Sequence, residues 1–183
     1  MSRIPYPVIE QLPDTVRKTV EHANLNALRM FAHATPEAFE HFYPFMRAFF
    51  TVSKLPADLR QIAVLRAGHI AGCYYVTRQH SALARDVGLS EAALAAIEQD
   101  VSPPGVLTPA QHATLVFADE VIRNANASDT ALAELRRHLD DNQLMDLMMV
   151  IGIYMMLSRL ILTSGAEVDA HSMGTSYLDH LHN

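Results

Sequence analysis

The stretch Leu55-Pro-Ala-Asp-Leu-Arg-Gln-Ile-Ala-Val-Leu-Arg-Ala-Gly-His-Ile-Ala-Gly-Cys-Tyr-Tyr-Val-Thr-Arg-Gln-His80 decides how this chain is read. Pro56 suits the first position of a helix, where its missing N–H would have had no partner. The spacing predicts one helix over Pro56 to Ile70, a break at Gly72, and a second helix over Cys73 to Val87 ended by Gly88. A thiol at the start of that second helix lies among unpaired N–H groups at the positive end of the helix dipole, which favours thiolate. Offsets of three and seven bring Val76 and His80 onto one face with Cys73. Two turns separate Cys73 from His80, about 10 Å along the axis. The pair is therefore expected to flank a pocket and act on a ligand or water between them, with Gln61 and His69 approaching from the preceding helix.

The rest of the chain follows the same grammar. Only 7 glycines occur, and no Asn-Gly or Asp-Gly turn joins two alternating runs, so strand signals are nearly absent and the fold class is all-α. Thr35-Pro36 and Thr108-Pro109 each place a hydroxyl before a proline. Thr108 with Gln111, and Asp140 with Gln143, have capping-box spacing. Further helices are predicted over Pro13 to Ala23, Pro36 to Ser53 with a kink at Pro44, Glu91 to Gln99, Pro109 to Asn124, Asp129 to His138 and Asp141 to Ser164, the last stopping at Gly165. The Pro-containing loop over Val101 to Val106 is short, so the expectation is one helical domain over residues 1–183 with a polar tail over 170–183.

Composition sets bounds on function. The 183 residues carry 14 Lys+Arg against 20 Asp+Glu, a net charge of -6, and no Trp. Scattered basic residues on an acidic chain argue against nucleic acid. One Cys forms no internal disulfide, and the start of the chain has no secretory pattern, so a cytoplasmic location is expected. Leu144 to Leu162 approaches the length of a membrane span, but Asp146 and Arg159 interrupt it. A helix buried inside an oligomer is the better reading, with Met145, Met148, Met149, Met155 and Met156 packing a core or a subunit seam.

Packing readings stand beside the chemical ones. A free Cys is among the most buried residue types, His80 fits a core position with one nitrogen bonded to a carbonyl, and Tyr74 and Tyr75 fit as packing aromatics. A metal held by His69, Cys73 and His80 has no evident carboxylate in the same segment to complete it. His171, His180 and His182 lie on the polar tail, where histidines are usually solvated. No metal and no cofactor is assigned.

Leu59-Arg-Gln-Ile-Ala-Val-Leu-Arg66, Gly72-Cys73, His80 and Ala84-Arg-Asp-Val-Gly-Leu-Ser90 resemble the core of the carboxymuconolactone decarboxylase and alkylhydroperoxidase-D superfamily. Leu147-Met-Met-Val-Ile-Gly-Ile-Tyr-Met-Met-Leu-Ser-Arg159 with Gly165-Ala-Glu-Val168 resembles the terminal helix of its longer members, so the likeness spans about residues 35–170. It implies an alkylhydroperoxidase-D-like helical bundle, a homo-oligomer (trimer or hexamer), and a pocket near the His-bearing helix. The hydroperoxidase branch uses a Glu, a Cys-x-x-Cys and a following His; here those positions are Gln61, Cys73, Val76 and His80. With Val76 in place of the second Cys, no disulfide closes within one chain, and a peroxidase reading is left with a one-Cys cycle on Cys73 and an outside thiol.

The decarboxylase branch needs neither a second thiol nor a cofactor. Resemblance to it implies acid/base chemistry on a small carboxylated or carbonyl substrate. His80 is then the proton carrier, its ordinary pKa lying near working pH. Tyr75 would donate to an enolate oxygen and Gln61 to a carbonyl, Arg78 would hold a carboxylate, and Cys73, His69 and Val76 would line the pocket. A non-catalytic helical oligomer that binds an apolar ligand is the third expectation.

Overall fold

Ten consecutive residues of one helix, Leu59 to Gly68, are buried. A helix apolar and buried all round belongs in the centre of a bundle, and here it is α4 (Ala57–Ile70), against which α5 (Tyr74–Asp86), α7 (Pro109–Asn124), α9 (Asp141–Ser164) and α6 (Glu91–Gln99) pack. This is a computed structural model describing residues 2–99 and 103–170. Before α4 come a 3-10 turn (Ile9–Gln11), α1 (Asp14–Ala23), α2 (Asn26–Phe31) and α3 (Pro36–Thr51), and α8 (Asp129–Leu135) joins α7 to α9. The fold is all-α: among the described residues every regular element is a helix.

The helices start and stop where local chemistry requires. Both capping boxes form, Gln111 N donating to Thr108 Oγ1 at 3.2 Å and Gln143 N to Asp140 Oδ1 at 2.8 Å. Gly165 ends α9 in the left-handed region at φ 70°. Three local expectations need correction. Thr35 precedes α3, but its hydroxyl makes no cap bond, so the proline alone marks that start. The predicted helix to His138 ends at Leu135. The six residues of α2, which have no side-chain cap and are too short to show a period, were missed as a helix by the sequence reading.

Polar side chains on α4 reach partners on its neighbours. Arg66, 2% exposed, pairs with Asp119 of α7 through Nε at 2.8 Å and donates to the Ile97 carbonyl of α6 at 3.0 Å. At the other end, Gly68 lets α5 come close: a Cβ there would lie 2.9 Å from Thr77 Cγ2 and 3.0 Å from Val76 Cγ1.

α9 splits its methionines. Met148 and Met155 pack against the core, whereas Met145, Met149 and Met156 are exposed with Gly152 between them, so the expected core-or-seam stripe is two faces of one helix. By length and composition α9 would span a bilayer, yet 50% of its most apolar window is buried inside the chain. That burial is what a core helix shows. The histidines weighed on the tail, His171, His180 and His182, lie outside the described residues, as do Val101 and Ser102 of the loop.

Two alanine substitutions separate close packing from helix propensity. Gly68→Ala overpacks the α4–α5 contact and is expected to cost about 1–3 kcal/mol. Gly152→Ala meets nothing within 4 Å and should gain about 0.5–1 kcal/mol through helix propensity. Urea unfolding of both variants checks the opposite signs.

Candidate functional site

α3, α5, α9 and the short α2 enclose a narrow, partly open cavity. Its wall is mostly aliphatic and aromatic, as small-molecule sites usually are. His80 reaches it from α5, which the Gly68 contact holds against α4, and Tyr154 from α9.

His80 is 3% exposed and bonded on both sides of its ring. Nδ1 lies 3.0 Å from Gln61 Oε1, and Nε2 lies 2.9 Å from the Tyr154 hydroxyl. With the Gln61 oxygen accepting, the imidazole proton sits on Nδ1, and Nε2 accepts from Tyr154. The two rings meet edge to face at 4.9 Å. Burial, aided by the nearby Arg60 charge, pushes the His80 pKa down to about 3. Burial also raises the Tyr154 pKa, against a smaller lowering by Arg60. The resting site therefore holds a neutral imidazole and a neutral phenol. This corrects the expectation of a histidine titrating near working pH.

Arg60 is 5% exposed, donates to the Phe49 carbonyl at 2.9 Å and lies 4.8 Å from the centre of the Phe50 ring. Gln61 Nε2 is buried without a hydrogen-bond partner.

A second network closes the cavity on another side. Asp169, 5% exposed, accepts from the Tyr75 hydroxyl, from Gln79 Nε2 at 2.7 Å and from the Asn26 amide at 2.8 Å. The Tyr75 oxygen in turn accepts from Ala27 N at 3.2 Å. Tyr75 lines the cavity, but its hydroxyl proton points at Asp169, away from the enolate role expected of it.

Gln61, Val76 and His80 meet at or beside the cavity; Cys73, His69 and Arg78 do not. Those three border a shallower depression on the other side of α5 with Glu98. Cys73 is fully buried at the N-cap position of α5, in an apolar cluster with Val64, Ala67 and Val76. Cys73 and His80 therefore do not flank one pocket as expected, because the break at Gly72 turns the thiol into the packing between α4 and α5. Burial also holds the His69 pKa below its usual value. Arg78 is exposed. The trio His69, Cys73 and His80 is likewise divided between two faces of α5.

Sequence reasoning missed Tyr154, Asp169 and Arg60. Tyr154 carries a hydroxyl in the most apolar helix of the chain, which was a usable signal. Asp169 lies 90 residues or more from Gln79 and Tyr75, so only the folded chain brings them together.

Residues 36–119 match the carboxymuconolactone decarboxylase family. A search of curated proteins finds no match. Among solved structures, an alkylhydroperoxidase AhpD core, peroxidase-related protein of Ralstonia eutropha superposes with a TM-score of 0.79 at 21% identity, covering 92% of this chain and 93% of its own. ATU0492 of Agrobacterium tumefaciens, a protein of unknown function with a suggested place in AhpD-type antioxidant defence, superposes with a TM-score of 0.68 at 26% identity over 77% of this chain and 97% of its own. The debrominase Bmp8 superposes with a TM-score of 0.67 at 19% identity over 98% of this chain and 97% of its own, and a cysteine-to-alanine form of it has been solved with 2,3,4-tribromopyrrole. The helical core around α4, the family match and these likenesses agree: residues 36–119 carry the pattern of the carboxymuconolactone decarboxylase family, and the chain has an alkylhydroperoxidase-D-like fold.

Proposed function

We propose that the chain is a cofactor-free enzyme that delivers a proton to a carbanion or enolate on a small carbonyl-bearing acid, the chemistry of a decarboxylase. The observation that carries this reading is the Tyr154–His80–Gln61 chain of hydrogen bonds at the wall of the apolar cavity. The electrostatics set the direction of proton flow. Burial and Arg60 disfavour imidazolium, so His80 is a poor base; the same positive charge favours any anion formed at Tyr154.

When CO2 leaves, the electrons of the broken C–C bond stay on the substrate, and the Tyr154 hydroxyl turns from His80 Nε2, its resting acceptor, and donates its proton to that carbon. The phenolate left behind faces Arg60 and recovers a proton from water as the product departs. Tyr154 is the catalytic residue, and His80 positions its hydroxyl while Gln61 fixes the imidazole tautomer. A buried phenol with a raised pKa gives its proton only to a strong base such as a carbanion, which guards against idle exchange. The exposed Met145, Met149 and Met156 face of α9 supports a homo-oligomer, and the single unpaired thiol supports a cytoplasmic setting.

A thiol-dependent hydroperoxide reductase is the competing reading, favoured by the peroxidase-related neighbours. It needs Cys73, which is buried and borders the depression on the other side of α5 rather than the His80 cavity.

CO2 release and deuterium uptake from D2O, measured over a panel of β-carbonyl acids, decide between them. Tyr154→Phe should lose about 10²–10⁴-fold in kcat, whereas Cys73→Ser should stay close to the unmodified rate. Peroxide consumption that Cys73→Ser abolishes and Tyr154→Phe leaves alone would overturn the proposal. A neutral His80 also has a stability signature. Its folded pKa lies near 3 against an ordinary 6.5, so the unfolded chain binds a proton in that window that the native one does not. Stability should therefore fall as pH drops from 6.5 toward 3, by up to about 1.4 kcal/mol per pH unit from this group. His80→Gln should flatten the acid limb by that slope in urea titrations at stepped pH.

A further inference from the structure

Two arginines stand at the Phe50 end of the cavity, and no carboxylate among the described residues pairs with either. Arg47 belongs to the stripe Tyr43, Met46, Arg47 and Phe50, the face that α3 turns toward the cavity at offsets of three, four and seven. An apolar face is an expensive place for a guanidinium unless something polar answers it. Arg47 is half-buried, and its Nε is buried with no hydrogen-bond partner. Arg60, behind the Phe50 ring, adds a second positive charge, and its Nε is also without a partner.

Four other polar side chains of the lining already have hydrogen-bond partners. Tyr154 and His80 bond each other, and Tyr75 and Gln79 bond Asp169. Arg47 is thus a lining residue that brings a permanent charge and donors still open to a ligand. A guanidinium fork matches a carboxylate in two parallel hydrogen bonds.

We infer that Arg47 is the specificity-determining residue of the cavity, holding the carboxylate of a mono-anionic, amphipathic acid whose apolar body lies along Leu28, Phe31, Leu157 and Ile161. The inference rests on the reading of this cavity as the reaction site. One turn of α3, about 5 Å, separates Arg47 from Phe50, whose ring centre lies 6.0 Å from that of His80 and 6.3 Å from that of Tyr154. An acid gripped by Arg47 thereby has its first carbons directed toward the Tyr154 hydroxyl. A neutral analogue leaves the guanidinium unpaired. A di-acid must lay its second charge against the apolar wall, so both are selected against. Loss of the carboxylate as CO2 also removes the group that Arg47 holds, which promotes product release.

The test is calorimetric titration with octanoate, octanamide and the di-acid suberate, on the unmodified protein, Arg47→Met and Arg47→Lys. Octanoate should bind about tenfold to a hundredfold more tightly than octanamide, the range of a charge-assisted hydrogen-bonded pair, and suberate should resemble octanamide. Arg47→Met keeps an unbranched apolar stem and should erase the preference for octanoate, while Arg47→Lys should keep part of it. Equal binding of octanoate and octanamide, an undiminished preference in folded Arg47→Met, or no binding of any probe overturns the inference. Turnover is read separately with the β-carbonyl acids. Loss of the carboxylate preference with Tyr154-dependent turnover intact defeats the Arg47 assignment alone. Preference intact with no turnover defeats the reaction reading alone.

Discussion

A helix with no solvent-facing side must hand every polar side chain it carries to a neighbour, and α4 is such a helix. Three of its ten consecutive buried residues are Arg60, Gln61 and Arg66. Arg66 is answered by Asp119 and the Ile97 carbonyl, which ties α7 and the end of α6 to the centre. Arg60 is answered by the Phe49 carbonyl, which fixes the end of α3. Gln61 is answered by His80 on α5. The polar residues of α4 thus orient four neighbouring elements, and the last of these contacts is also the inner end of the candidate site. The same buried polar contacts thus hold the helices together and build the site, while Arg60 Nε and Gln61 Nε2 keep no partner.

That sharing explains how much was legible in the sequence. The helix order could be read because prolines, capping boxes and glycines act within a few residues of themselves: Thr108 with Gln111, Asp140 with Gln143, and Gly165 after the apolar run. Gln61 and His80 could be paired as neighbours because one short break separates their helices. What a linear reading lacked was the facing of α5. Helical periodicity placed Cys73 and His80 on one nominal face, yet Cys73 is the N-cap and lies outside the regular turn geometry, so its thiol departs from the face that His80 continues. Tyr154 was hidden by its surroundings, since an aromatic in an apolar helix reads as packing until its hydroxyl is seen on an imidazole. Asp169 follows α9 and has no periodic signal at all.

The cavity's electrostatics follow from the same geometry. A carboxylate at Gln61 would favour imidazolium; an amide leaves the ring neutral and lets the Arg60 charge act without a nearby counterion. The exchange of one acid for its amide therefore changes which charged species the site tolerates, from a cation on the histidine to an anion in the cavity. Val76, where the hydroperoxidase pattern has its second sulfur, continues the apolar wall. Gln61 and Val76 thus leave the chamber without the carboxylate and the second sulfur of that pattern.

The roof of that chamber joins the two ends of the chain. Asn26 and Ala27 of α2 are bonded to Asp169 and Tyr75, the Arg3 and Ile4 amides donate to the Ser164 carbonyl, and the Glu167 amide donates to the Tyr6 hydroxyl. On the ribosome the first thirty residues emerge long before their partners near position 169. Until those arrive, α2 has nothing to hold it over α5, and the chamber stands open with its apolar lining bare. Synthesis thus leaves the cavity unsealed until residue 169 is made, and a nascent chain stalled after α7 would expose its apolar lining, making it a natural client for chaperones.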